Sequence, residues 1–315
     1  MRNIKLIEVR SEIGAGTRGA SLGIDAIRIA ALDFMSSFFV NFPSEVVENE
    51  NRLLYEPVAS PYAKRIQGVL TMYERVAKTV SETLKSGLFP LVLAGDHSTA
   101  GGTIAGIRMA KPKNRLGVIW IDAHADMHSP YTTPSGNMHG MPLATALAVD
   151  NIENQVHNPD PQTIELWNKL KNVGKIQPKL NPEDIVFIGL RDYEKEEEYL
   201  IKKYGIKVIP VQEVRRKGVE NVVRQAMLHL ANCDDIYVSF DVDSLDSSIS
   251  RGTGTPVSNG LKEKEVEDML ASIMQNHKIC CFEVTEVNPT LDKENMMAEI
   301  AFNILQRSVN LLLMN

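Results

Sequence analysis

Cysteine is scarce in this 315-residue chain: Cys233, Cys280 and Cys281 are the only three. An odd number with no Cys-x-x-Cys spacing argues against redox or zinc roles and fits buried thiols in a reducing compartment, with the cytoplasm as the default. Long apolar runs are missing too. No stretch approaches the roughly 18 to 20 apolar residues a membrane span needs, and the opening MRNIKLIEVRSEIGAG has no run of signal-peptide length. A long basic cluster is absent and the formal charge is −6, which argues against a nucleic-acid partner. There is no internal repeat, low-complexity tract or Gly/Ser linker. What remains is an ordinary soluble composition, 43% hydrophobic and 23% charged. One α/β domain spanning 1–315 is the expected organisation.

Short apolar runs recur with helical stretches between them. IKLIEVR (4–10) comes first, PLVLAGDHS (90–98) follows a helix expected around 65–86, and LGVIWIDAHAD (116–126) follows one around 99–110. DIVFIGLRD (184–192), IKVIPVQEV (206–214), DIYVSFDVDSLD (235–246) and KICCFEVTEVNP (278–289) complete the series. Val- and Ile-rich strands alternating with amphipathic helices predict a parallel sheet covered on both faces. An eight-stranded barrel shares this alternation and is the alternative. The polar segment 150–182 reads as an irregular insertion. GDHS, DAHAD, GLRD, DVDSLD and EVTEVNP all stand where an apolar run stops. Ligands bind at the carboxyl ends of parallel strands, so these motifs are expected to share one rim.

The stretch VIWIDAHAD (118–126) sharpens the point. Read as extended chain, Asp122, His124 and Asp126 share one face, at every second position. Asp241 and Asp243 repeat the spacing in FDVDSLD, and His97 comes from GDHS. Asp96 and Asp246 read more simply as turn or helix-capping residues. Four carboxylates converging without a cation repel, and at least one must stay protonated. Two divalent cations neutralise them, with His97 and His124 binding as neutral imidazoles. Oxygen-rich ligation without thiolate favours a hard ion such as manganese; zinc, cobalt and nickel stay open. Paired metals share a bridging water and generate hydroxide at neutral pH.

These residues also resemble a family. GDHS (95–98), DAHAD (122–126), SGNMHG (135–140), SFDVDSLD (239–246), GTGTP (252–256) and EVNP (286–289) are similar to the signatures of the arginase/ureohydrolase family, in order and spacing. GLRD and GASLGIDAIR (19–28) extend the likeness over the whole chain, and SGNMHG is most similar to the arginase branch. The resemblance implies a three-layer α/β/α fold with a mainly parallel eight-stranded sheet. It implies two Mn2+ ions and hydrolysis of the guanidinium group of L-arginine to L-ornithine and urea by a metal-bridging hydroxide. His97, Asp122, Asp126 and Asp241 would hold one ion, and Asp122, His124, Asp241 and Asp243 the other. Asp126, His139 and Glu286 take the catalytic roles: hydrogen-bond acceptor for the hydroxide, proton shuttle, and partner of the guanidinium. Thr255 lies near the same group. His128, Ser135 and Asn137 match positions that read the α-carboxylate end, and Glu194 and Glu197 positions near the α-amino end. A homotrimer or homohexamer is the implied assembly.

Two positions depart from the family pattern. His128 stands where arginases usually carry Asn, and Glu194 where they usually carry Asp. Neither touches the metals; both lie where substrate length and end groups are read. A ureohydrolase acting on agmatine or another guanidino or formimino compound is therefore the nearest rival. Single-zinc deacylases of similar fold need fewer ligands at these positions, and a non-enzymatic arginine sensor is expected to have a broken ligand set. EKEEE (194–198) as a charge run reads mostly as a solvated helix start.

Overall fold

The computed structural model describes residues 2–249 and 251–314. Eight strands form one sheet: β1 Ile4–Val9, β2 Ser44–Val46, β3 Phe89–Ala94, β4 Leu116–Ile121, β5 Ile185–Ile188, β6 Lys207–Ile209, β7 Asp235–Asp241 and β8 Ile279–Thr285. Their order is β2-β1-β3-β8-β7-β4-β5-β6, and every neighbouring pair is parallel. The sheet is open at β2 and β6, which rules out the barrel. Seven strands coincide with the apolar runs. β2 has no such run: Ser44–Val46 is a short edge segment, largely exposed, so hydrophobic patterning gives it no signal.

Parallel neighbours need crossovers, and helices supply them. Alternation along β4 sends Val118 and Trp120 into one core and Ile119 and Ile121 into the other. The first core is covered by helices that include Ile66–Lys85, Ala100–Ala110 and Pro161–Lys171; the second by Gly23–Asp33, Val219–His229, Glu263–Ile273 and Met296–Leu313. Three layers result, with the apolar strands buried on both faces as their composition requires. Close approach of Ile66–Lys85 to Ala100–Ala110 depends on glycine, since a Cβ at Gly106 would stand 2.7 Å from the Ala77 carbonyl oxygen.

The segment 150–182 is not an irregular insertion. It contains the helix Pro161–Lys171, capped by the Asp160 carboxylate, which accepts from the Thr163 N–H. Asp before Pro is a helix-start signal; the surrounding Asn and Pro obscured it. The three cysteines are free and buried, and among the described residues no helix is long and apolar enough to cross a membrane.

The strands that carry the unusual motifs, β3, β8, β7, β4 and β5, are five consecutive neighbours. The chain passes from β3 to β4 across the places that β7 and β8 later fill. Such a switch in strand order leaves a crevice at the carboxyl ends. Phe282, fully buried in central β8, tests this core. Phe282→Ala is expected to cost about 3–5 kcal/mol, read as a lower denaturant midpoint with an unchanged m-value.

Candidate metal centre and substrate pocket

β3 ends at Ala94, and Asp96 behaves as a turn residue. Its buried carboxylate accepts from the N–H groups of Ser98 (2.8 Å) and Gly14 (2.9 Å), which caps the short turn His97–Thr99. That turn carries the His97 ring inward, stacked on Trp120 with centroids 4.2 Å apart. His97 Nε2 meets Ser239 Oγ at 2.8 Å, and its backbone N–H donates to Glu286 Oε1 at 2.9 Å. His97 Nδ1 is left facing Asp122 Oδ2 at 3.0 Å, Asp126 Oδ2 at 3.1 Å and Asp241 Oδ2 at 3.2 Å.

The acids of DAHAD converge, but not by strand alternation. β4 stops at Ile121, and the chain turns at once: the His124 N–H donates to Asp122 Oδ1 at 2.7 Å, and Asp126 takes φ 51°. The residues therefore converge through a turn and not through strand alternation. The same holds after β7, where Asp241 Oδ1 accepts from the Asp243 N–H at 2.8 Å and the turn Val242–Ser244 swings Asp243 round. His124 Nδ1 stands 2.9 Å from Asp243 Oδ2 and 3.5 Å from Asp122 Oδ1. Two groups result, His97–Asp122–Asp126 and Asp122–His124–Asp243, with donor atoms within 4.8 Å of one another and Asp122 in both.

Burial pushes Asp241 well above the ordinary carboxylate range, and the charges of Asp243 and Asp122 add to the rise. Asp243 is raised by burial and by Asp122, and burial with the Asp122 charge takes Asp126 up to about 6. Burial is the main cause of all three rises and like charge adds to it; Asp122 moves the other way, its contacts with His124 and His97 outweighing burial. His97 Nδ1 and Asp122 Oδ2, both buried, have no hydrogen-bond partner despite facing each other. Lone pairs aimed at a common point with nothing to accept from are what a cation site requires. Imidazole and carboxylate donors, with no thiolate, fit one or two divalent ions.

Above this floor opens a cavity of about 110 Å³ lined by every expected site residue except Asp122, which lies beneath. Glu286, at φ 67° just past β8, is fully buried, and His139 Nδ1 lies 3.2 Å from its Oε1. Burial acts to raise the Glu286 pKa, but the hydrogen bond and charge of His139 outweigh it and lower the value. Thr255 Oγ1 donates to Asp243 Oδ2 at 3.0 Å. Ser135 Oγ accepts from the Asn137 N–H at 3.1 Å.

The acidic part of the lining is the start of the helix Lys195–Tyr204. Glu194 and Glu197 form a reciprocal capping box there, so EKEEE is a helix start, with Glu197 buried. Glu197 also accepts from the Met127 N–H at 3.0 Å. His128 stands on this side: its Nε2 is 2.9 Å from Glu194 Oε2 and 3.4 Å from Glu197 Oε2, and its Nδ1 is 3.1 Å from Thr132 Oγ1. Nε2 is thus engaged with the acidic wall and Nδ1 with Thr132, whereas Ser135 and Asn137 interact with each other. The hydrogen bond to His128 brings Glu194 down to about 2, and burial takes Glu197 up to about 7.

Sequence reading missed several participants. Ser239 and Trp120 orient His97; both lie in stretches quoted above, but neither is given a role there. Thr133 and Pro134 line the cavity just before the SGNMHG motif, and Gly140 at its end. Lys64 reaches Asn137 from a loop with no signature. His157 stacks on Tyr62, and its Nε2 lies 2.8 Å from the Thr133 carbonyl oxygen, steadying the loop.

The family model described as "Arginase family" matches residues 2–309. An arginase of Brevibacillus brevis is 36% identical over 316 aligned positions, covering 96% of each chain. The arginase structure from Bacillus caldovelox is similar at 33% identity and TM-score 0.83, covering 99% of this chain and 98% of that one. An Entamoeba histolytica arginase in complex with L-ornithine has TM-score 0.84 at 26% identity, covering 98% and 99%.

Titrating metal-stripped protein with Mn2+ should raise its melting temperature, by a stabilisation of about 2.7 kcal/mol at a hundredfold excess over Kd. Asp122→Ala, which removes the carboxylate common to both groups, should abolish most of the rise; Asp246→Ala, in a nearby turn, should preserve it. A melting curve indifferent to manganese, zinc and cobalt would count against the cage.

Proposed function

The chain belongs to the arginase family, and on that premise we propose that it hydrolyses the guanidinium group of L-arginine to L-ornithine and urea with two manganese ions. The observation that carries this reading is the placement of Glu286 over the two His–Asp groups in a single cavity. His97, Asp122, Asp126 and Asp241 would hold one ion, and Asp122, His124, Asp241 and Asp243 the other. Bound there, the ions supply Lewis acidity that brings the pKa of water toward neutrality.

The chain's own groups divide the remaining work. A guanidinium carbon is a poor electrophile, so the substrate must be held at a fixed angle within about 3 to 3.5 Å of its nucleophile. Glu286, ionised and locked by His139 and the His97 N–H, pairs with the planar cation through charge-assisted hydrogen bonds. Asp126 accepts a proton from the attacking water and passes it toward the departing amine. His139, partly open to solvent, relays a further proton. Thr255 fixes the rotamer of Asp243 beside the guanidinium. By the family pattern Ser135, Asn137 and His128 receive the α-carboxylate, and Glu197 and Glu194 the α-ammonium end, although His128 contacts Glu194 on the acidic side. By family resemblance the enzyme is a cytoplasmic homotrimer or homohexamer folded as one domain. A ureohydrolase acting on agmatine or another guanidino compound is the second reading, favoured by the His128–Glu194 pair at the end-group wall.

Manganese-loaded protein assayed for urea should turn over arginine with kcat/KM at least about tenfold above agmatine and guanidinobutyrate, the net worth of about one hydrogen bond. Agmatine turnover without arginine turnover would move the enzyme to the second reading. Glu286→Gln should lower kcat about 10- to 100-fold, the loss of a hydrogen bond to a charged group, with manganese content unchanged.

A further inference from the structure

Lys64 lies outside every motif, yet its Nζ donates to Asn137 Oδ1 at 3.1 Å, and its backbone N–H donates to the Gly136 carbonyl at 2.8 Å. Among the described residues it forms no ion pair, so its charge is not cancelled locally. An ammonium has only donors, and an amide has one acceptor and two N–H donors. The lysine therefore dictates which end of the Asn137 amide faces it and occupies the acceptor. The amide nitrogen lies over Gly16, where a Cβ would stand 2.6 Å away, so glycine leaves the room this orientation needs. Asn137 itself lines the cavity.

From this juxtaposition we infer that Lys64 is a positioning residue: it holds Asn137 as a pure hydrogen-bond donor toward the cavity and so selects guanidino substrates that carry a carboxylate. Without Lys64 the amide is free to turn. Its carbonyl oxygen then faces the cavity in a share of molecules and repels a carboxylate, while a substrate lacking that group feels no difference. The positive charge adds attraction of the same sign. Because the acidic residues Glu194 and Glu197 belong to another part of the lining, the cavity reads a zwitterion by its two ends. The inference rests on the proposed reading of the cavity as a guanidino-substrate site.

The test compares manganese-loaded wild type, Lys64→Met and Lys64→Arg, with L-ornithine and putrescine as calorimetric probes and arginine and agmatine as substrates. Putrescine and agmatine lack the carboxylate. Lys64→Met should weaken ornithine about tenfold and raise the arginine KM about tenfold, the worth of one charge-assisted hydrogen bond. Putrescine affinity, agmatine kcat/KM and arginine kcat should each stay within about twofold. Lys64→Arg, which keeps a charged donor, should recover ornithine binding to within about threefold. Equal losses for ornithine and putrescine, no loss for either, or no recovery by arginine overturns the inference. A wild-type protein that prefers ornithine to putrescine but releases no urea from arginine would sink the functional reading alone, and the binding arms would still decide the role of Lys64.

Discussion

Four carboxylates buried within a few ångströms of one another cannot all stay ionised unless something positive is placed among them. Asp122, Asp126, Asp241 and Asp243 are in that position, all buried around His97 and His124, and the sheet allows no relief. They stand at the ends of β4 and β7, adjacent central strands whose register is fixed over six residue pairs. His97, arriving from β3, faces Asp122, Asp126 and Asp241, and His124 faces Asp243 and again Asp122. The surrounding structure serves to hold this crowd. Asp96 caps the turn of His97, Trp120 stacks on its ring, and Gly95 lets β3 pass the Ser11 carbonyl, which a Cβ would meet at 2.1 Å.

Much of this was legible because the sheet is parallel and doubly covered. Its strands show as near-continuous apolar runs, and polar residues at their ends stand out against that background. The binding rim follows from a rule about strand ends that needs no knowledge of loop conformation. Whatever depended on loop conformation was not legible. Asp126 at φ 51° and Glu286 at φ 67° are non-glycine residues in the left-handed region, which costs of order 1–3 kcal/mol each. Aspartate visits that region more readily than glutamate, but nothing in either motif marks the position that does so. Strained backbone at both positions is how a short turn aims a carboxylate sideways into the cavity, where an extended chain would carry it past.

A second class of omissions concerns residues that act on the site through another side chain. Ser239 accounts for the Nε2 side of His97, so that Nδ1 is directed to the carboxylates. In the sequence it is one polar residue inside the run DIYVSFD. Its meaning comes from register: Ser239 pairs with Trp120 on one side and Glu283 on the other, and only the assembled sheet reveals that. Lys64 is the same case in a loop, its significance set by contact with Asn137 across 73 positions of sequence.

The departures at 128 and 194 are better understood as one change than as two. A histidine at 128 is long enough to reach the helix start, and Glu194, one methylene longer than aspartate, is long enough to meet it; the result is a direct contact at 2.9 Å. Burial disfavours charge on His128, but the hydrogen bond to Glu194 and the charge of Glu197 raise its pKa overall. Paired this way, His128 offsets part of the acidity that Glu194 brings, and Glu197, buried and held by the Met127 N–H, is left as the fixed acceptor. Either substitution alone would leave a poorer site: a glutamate without its histidine adds an uncompensated charge beside Glu197, and a histidine facing a shorter acid loses its partner. The two positions therefore form one structural unit on the acidic side of the cavity.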